Sequence, residues 1–147
     1  MLQRFILKQT SVVTALLGLS ACGTPPAMYV PAPTERTAVV KLAGEQKGVR
    51  ICRSGQPLYV TSTTSGNIRS VVIPADERIT LISLIAIEGY NVRSTCSPAI
   101  SLIVKTGTSV VLNADVQENG CYFEAVREDA SSPSGLAVEP SVGPPSC

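Results

Sequence analysis

The chain contains no histidine. Without an imidazole there is no Ser-His-Asp or Cys-His nucleophilic centre, no histidine-ligated metal, and none of the commonest general base near neutral pH. Catalysis would have to rest on carboxylates or a Ser/Lys pair, and the sequence reads as a non-enzyme. Neither CxxC spacing nor a glycine-rich phosphate loop occurs; Ser54-Gly55 and Ser65-Gly66-Asn67 read as turns. Cys52, Cys96, Cys121 and Cys147, with neither histidine nor CxxC spacing, do not make a structural zinc site, and no cofactor is expected. The balance of 12 Lys+Arg against 11 Asp+Glu, with no basic stripe, leaves no electrostatic footprint for nucleic acid. The acidic clusters, Asp76-Glu77 and Glu124, Glu128 and Asp129, read as solvated surface. Internal repeats are absent, as is any uninterrupted 3.6-residue apolar period of helical length.

What is present begins at the N-terminus. Arg4 and Lys8 precede an uncharged run, Ser11 to Leu19, that falls short of the ~20 apolar residues a spanning helix needs. Leu19-Ser20-Ala21-Cys22 follows directly. This pattern resembles bacterial lipoprotein signal peptides. The resemblance implies a diacylglyceryl group on the Cys22 thiol, cleavage before Cys22, and acylation (palmitate-type chains) of the new amino group. Acyl chains at about 0.8 kcal/mol per buried CH₂ would hold the protein on a membrane. By the enterobacterial pattern, Gly23 after the cysteine points to the outer membrane, facing the periplasm. Loss of Arg4 and Lys8 would leave a formal net charge of −1.

The expected organisation is a signal peptide over residues 1–21, the lipidated Cys22 with a Pro-rich tether over 22–37, a β domain over 38–128, and a Ser/Pro/Gly-rich tail over 129–147. Pro25, Pro26, Pro31 and Pro33 bar a helix or a central strand, so the tether reads as a semi-extended spacer. Expected strands are Ala38–Leu42, Val49–Arg53, Leu58–Ser62, Asn67–Ile73, Arg78–Ile87, Tyr90–Thr95, Ile100–Lys105, Ser109–Val116 and Cys121–Arg127. Their spacing and turn punctuation predict an all-β, small antiparallel sandwich. Val110, Leu112, Ala114 and Val116 alternate cleanly, as do Cys121, Phe123 and Ala125, and the Asn119-Gly120 pair between them marks a tight hairpin.

Arg78–Ile87 is apolar on both faces. Ile79, Leu81, Ile85 and Ile87 form one face; Ile82, Leu84 and Ala86 form the other. Either the second face is covered by the tether or tail, or Ile82 and Leu84 form a surface for an envelope protein or cell-wall partner. With Cys22 acylated, Cys52, Cys96, Cys121 and Cys147 remain, an even number suited to an oxidising compartment. Spacing alone does not choose among three pairings. Strand facing favours Cys96–Cys121 inside, because both lie on core-side positions, and Cys52–Cys147 at the periphery. Leu136–Val138 reads as a last edge strand with Cys147 as its clasp.

The run Ile73-Pro74-Ala75-Asp76-Glu77-Arg78-Ile79-Thr80-Leu81 resembles the proline, turn and β-branched strand step of small Ig-like envelope domains of the PEGA type. The span Cys96 to Cys121, with Lys105-Thr106-Gly107-Thr108 before Val110, is similar to a group of small proteobacterial lipoproteins. The resemblance covers about Val49 to Val126, lacks the repeated glycines of the PEGA pattern and adds cysteines. It implies a sandwich with an accessory structural or protein-binding envelope role and no catalytic residues. Ser54-Gly55-Gln56-Pro57-Leu58-Tyr59 is similar to the Ser-Gly-x-x-Tyr element of small lipid-anchored lysozyme inhibitors, with one residue too many. That likeness implies the alternative function, inhibition of a periplasmic hydrolase.

Overall fold

A computed structural model describes residues 25–44, 46–89, 92–117 and 120–147. The signal segment and Cys22 lie outside the described residues, as do residues 45, 90–91 and 118–119, which include Tyr90 of an expected strand and Asn119 of the expected hairpin turn. The strands are β1 (Thr37–Gly44), β2 (Gln46–Arg53), β3 (Gln56–Tyr59), β4 (Ser62–Ser65), β5 (Ile68–Pro74), β6 (Arg78–Gly89), β7 (Val92–Cys96), β8 (Ala99–Ile103), β9 (Ser109–Gln117), β10 (Gly120–Glu128) and β11 (Leu136–Val138). They form two packed sheets, as the alternating Val/Ile/Thr pattern predicts. One has six strands in the order β11-β10-β9-β1-β5-β4; the other runs β3-β2-β6-β7, with β8 also on β6.

All the pairings within these sheets are antiparallel except β1 with β9, which runs parallel from Val39↔Ser109 to Gly44↔Ala114. The inward residues of both sheets meet in one core: Ala38 and Val40, Val49 and Ile51, Val71 and Ile73, Ile79 and Leu81, Leu102, Val110 and Leu112, and Ala125 are all buried. Each sits at the in-facing step of its strand's two-residue period, so neighbours such as Val39 and Val72 face outward.

Two expected features differ in detail. The expected strand Leu58–Ser62 is divided, because the chain leaves one sheet after Tyr59 and enters the other at Ser62. β7 and β8 lie end to end on β6 in one register, from Gly89↔Val92 to Arg78↔Ile103. Only Ser97-Pro98 interrupts them, since proline has no N–H for the ladder, although the Pro98 carbonyl still accepts from the Ser83 N–H (3.1 Å).

The crossing from β1 to β2 takes a single intervening residue. Gly44 there has φ +81°, and a Cβ would run into the Ala114 carbonyl oxygen, so both the backbone angle and the close approach require glycine. Gln46, just past the crossing, is 2% exposed. Its amide donates to the carbonyls of Ala43 (2.8 Å) and Leu112 (3.0 Å), and its Oε1 accepts from the Ser83 hydroxyl (3.1 Å). One side chain thus ties β1, β9 and β6 together across the two sheets.

Candidate functional site

The outer face of the β3-β2-β6-β8 sheet is built in rows, because paired residues on neighbouring strands point to the same side. The first row is Pro57, Cys52, Thr80 and Ser101. The C-terminal tail lies over it. Gly143 and Ser101 exchange backbone hydrogen bonds (2.8 and 3.0 Å), the Thr80 hydroxyl donates to the Ser146 carbonyl and accepts from the Ser146 N–H (both 3.0 Å), and Arg78 donates to the Ser141 carbonyl (3.0 Å). Cys147 closes the cover through a disulfide to Cys52. Thr80, Ser101 and Cys52 are consequently buried although they face away from the core.

The second row is Met28, Tyr59, Arg50, Ile82 and Ala99. Leu84, opposite Gly48, starts the next. The tail does not reach them with any of these bonds: Met28 is 50%, Tyr59 43% and Leu84 41% exposed, and Ile82 is half-buried. The Arg50 guanidinium lies over the Tyr59 ring, 5.7 Å from its centroid, a cation–π arrangement. The second face of Arg78–Ile87 is thus covered on one stretch and open on another. The tail covers the strand at Thr80, and Leu84 stays in the open.

Met28 stands in that row because the proline-rich segment is docked, not free. The Tyr29 N–H donates to the Tyr59 carbonyl (2.8 Å), the Tyr59 N–H to the Ala27 carbonyl (2.9 Å), and the Tyr29 ring is buried in the core. From Ala27 onward, the segment expected to act as a spacer is part of the domain. Its anchor is a polar cluster. The Arg53 guanidinium pairs with Glu35 (2.6 Å) and Glu77 (3.1 Å), as ion pairs without hydrogen-bond alignment at the carboxylate oxygens. The Tyr29 hydroxyl is buried beside Glu35 without a well-aligned partner. Burial, reinforced by the Glu35 charge, pushes its pKa up to about 12. The Ala32 N–H, and then the charge of Arg53, hold Glu35 below the usual carboxylate range.

The acidic residues of the turns are engaged structurally. Asp76 takes a left-handed backbone (φ +61°), which aspartate tolerates, and accepts from both the hydroxyl and the N–H of Thr106. The Thr106 hydroxyl, more than the nearby Arg36 guanidinium at 3.2 Å, keeps Asp76 below its ordinary pKa. Glu139 accepts from the Ser141 N–H (3.0 Å) and hydroxyl (2.7 Å), folding the tail toward Ile103. Among the described residues, no group of three or more Cys, Asp or Glu side chains is placed to hold a metal.

The cysteines pair as facing predicts: Cys96 on β7 joins Cys121 on β10 across the two sheets, and Cys52 joins Cys147. The expected inside–periphery contrast does not hold, because the tail buries Cys52 while Cys96 and Cys121 are only half-buried. Ser54-Gly55 is the two-residue turn between β2 and β3, with both residues at positive φ, and it is exposed. A groove at the sheet crossing brings Lys41, Lys47 and Arg69 together beside Leu42 and Ile68. Two of these cations are already engaged, Lys41 with Glu128 (3.0 Å) and Arg69 with the Gln46 carbonyl. Sequence reasoning singled out Ile82, Leu84 and the cysteines; it missed Tyr59 and Arg50, which alternation plus the β2–β3 turn at Ser54-Gly55 could have aligned, and Met28, which no local signal places. No family model, curated protein or solved structure matches the chain.

Proposed function

We propose that the chain is a non-catalytic, lipid-anchored envelope protein, held in the outer membrane through acyl chains on Cys22 and facing the periplasm. Its role in this reading is accessory: a rigid domain that supports or binds an envelope protein or wall component. The observation that carries the proposal is cysteine use. The sequence sets Cys22 in a Leu-Ser-Ala-Cys context behind a short apolar run, and the other four cysteines are consumed in two disulfides. Acylation of Cys22 therefore competes with no pairing, and two disulfides suit an exported protein. The absence of catalysis is favoured by the engagement of Glu35, Asp76, Glu77 and Glu139 in ion pairs and turns.

Intact mass of membrane-extracted protein tests the anchor. The expected species is residues 22–147 plus acyl mass, absent from a Cys22→Ser variant. A species retaining Met1, or a variant that still fractionates with membranes, refutes it. Cross-linking in native membranes and capture of the lipidated protein then identifies the partner. Lysozyme inhibition by the protein at stoichiometric amounts would replace the accessory role with the inhibitory one.

A further inference from the structure

Resting on the proposed acylation of Cys22, we infer that the uncovered row on the outer face of the β3-β2-β6 sheet, Met28, Tyr59, Arg50, Ile82 and the neighbouring Leu84, lies on the headgroup layer of an anionic phospholipid membrane. The first argument is chain length. Tyr29 is buried and its backbone is bonded to Tyr59, so the domain is gripped there. Cys22 is only seven residues upstream. Seven residues of proline-rich chain reach ~22 Å at about 3.1 Å per residue. β6 alone, with 12 residues, extends ~40 Å at about 3.3 Å per residue. A leash shorter than the domain holds the Met28 edge against the surface that carries the acyl chains.

The second argument is charge. Within the row the charged side chain is a cation, Arg50, and it sits among apolar and aromatic groups. The outer face of the other sheet presents Asp115, Glu124 and Glu128 with Lys41, a net negative set. An anionic membrane attracts the first face and repels the second. The composition of the row also suits an interface: an aromatic ring with a polar tip, a cation able to reach phosphate, and aliphatic side chains that are half-buried or exposed in water.

The chain contains no tryptophan, so a single introduced indole reports its own surroundings. The full acylated protein carrying Tyr59→Trp, and separately Leu84→Trp, is reconstituted in vesicles of phosphatidylethanolamine and phosphatidylglycerol with brominated acyl chains. Tyr122→Trp serves as the control; Tyr122 is 46% exposed, close to the 43% of Tyr59, but lies on the opposite sheet. The expected result is blue-shifted and strongly quenched emission from Tyr59→Trp and Leu84→Trp, unchanged emission from Tyr122→Trp, and weaker quenching when Arg50→Glu is added. Protein that floats with the vesicles but leaves both reporters unquenched overturns the surface and spares the anchor. Equal quenching at all three positions overturns it as well. Protein that fails to float overturns the anchor and the surface together.

Discussion

Gln46 gives the most direct test of how the two sheets are joined. Replacing it with leucine keeps the volume and removes both ends of the amide. The Ala43 and Leu112 carbonyls then lose a donor and the Ser83 hydroxyl loses an acceptor, in a setting where Gln46 is 2% and Ser83 0% exposed. Each buried polar group left unsatisfied costs about 1–3 kcal/mol, offset in part because the apolar side chain no longer has to be desolvated as an amide. A net loss of about 3 kcal/mol is expected, a large share of the 5–15 kcal/mol typical of a native domain. For a domain of this size, that corresponds to a fall in Tm of roughly 10 °C or more. Ser83→Ala alone should cost about 1 kcal/mol, because only the Gln46 Oε1 is orphaned. The double variant should cost less than the sum, since Ser83 has already lost its acceptor in Gln46→Leu. Urea and thermal unfolding with both disulfides oxidised measure all three. A loss for Gln46→Leu within ~0.5 kcal/mol, the range of an ordinary surface change, would refute the argument; so would strict additivity.

Three further outcomes follow from the same geometry. Cys147→Ser opens a loop spanning 95 residues, for which chain entropy gives an upper figure of ~4.7 kcal/mol; denaturation should show a loss of about 2–5 kcal/mol, and alkylation should find the Cys52 thiol accessible once the tail lifts. With Tyr29 raised from its ordinary 10.0 to about 12, the neutral ring favours the fold below pH 10, and that contribution is lost as pH rises toward 12. Phenolate absorbance should show a late-titrating component that is lost in Tyr29→Phe, and its titration should be accompanied by release of the 25–36 segment, detectable as new proteolysis there. Leu84→Ala should leave stability within about 0.5 kcal/mol, whereas Ile82→Ala, half-buried, should cost about 1 kcal/mol, short of the ~2–5 kcal/mol of a core truncation; a core-sized loss at Leu84 would show that its face is covered.

The sequence carried the strands because most bury one face. A two-residue period over Val110–Ala114 or Cys121–Ala125 is enforced by the core itself, while Val116, expected on the same face, lies beyond the core and is exposed. The facing also favoured the cysteine pairing that forms. It did not reveal where the chain changes sheets. Val60-Thr61 has the same β propensity whichever sheet its neighbours join, so Leu58–Ser62 reads as one strand. Gln46 lies in the unassigned stretch between the expected strands Ala38–Leu42 and Val49–Arg53, and its role depends on distant partners, the Leu112 carbonyl 66 positions away and the Ser83 hydroxyl 37 away. The parallel pairing of β1 with β9 has no local signature, because strand direction is settled by the connections. The docking of Tyr29 was hidden for a related reason. Prolines on both sides mark the segment as extended, and an extended segment is equally fit to lie in solvent or along an exposed edge such as β3.

The two disulfides are nested: the 96–121 link lies inside the 52–147 loop. A chain that emerges N-terminus first into an oxidising compartment exposes its cysteines in the order 52, 96, 121, 147. An oxidant that joins each thiol to the next one available would produce Cys52–Cys96 and Cys121–Cys147, neither of them native. Cys52 must therefore wait for the last residue of the chain, or be released from a wrong partner by thiol–disulfide exchange. If the chain is exported as proposed, its nested pairing calls for a disulfide isomerase or for folding that precedes oxidation. Cells supplying only a strong oxidant should accumulate it in the consecutive, misfolded pairing.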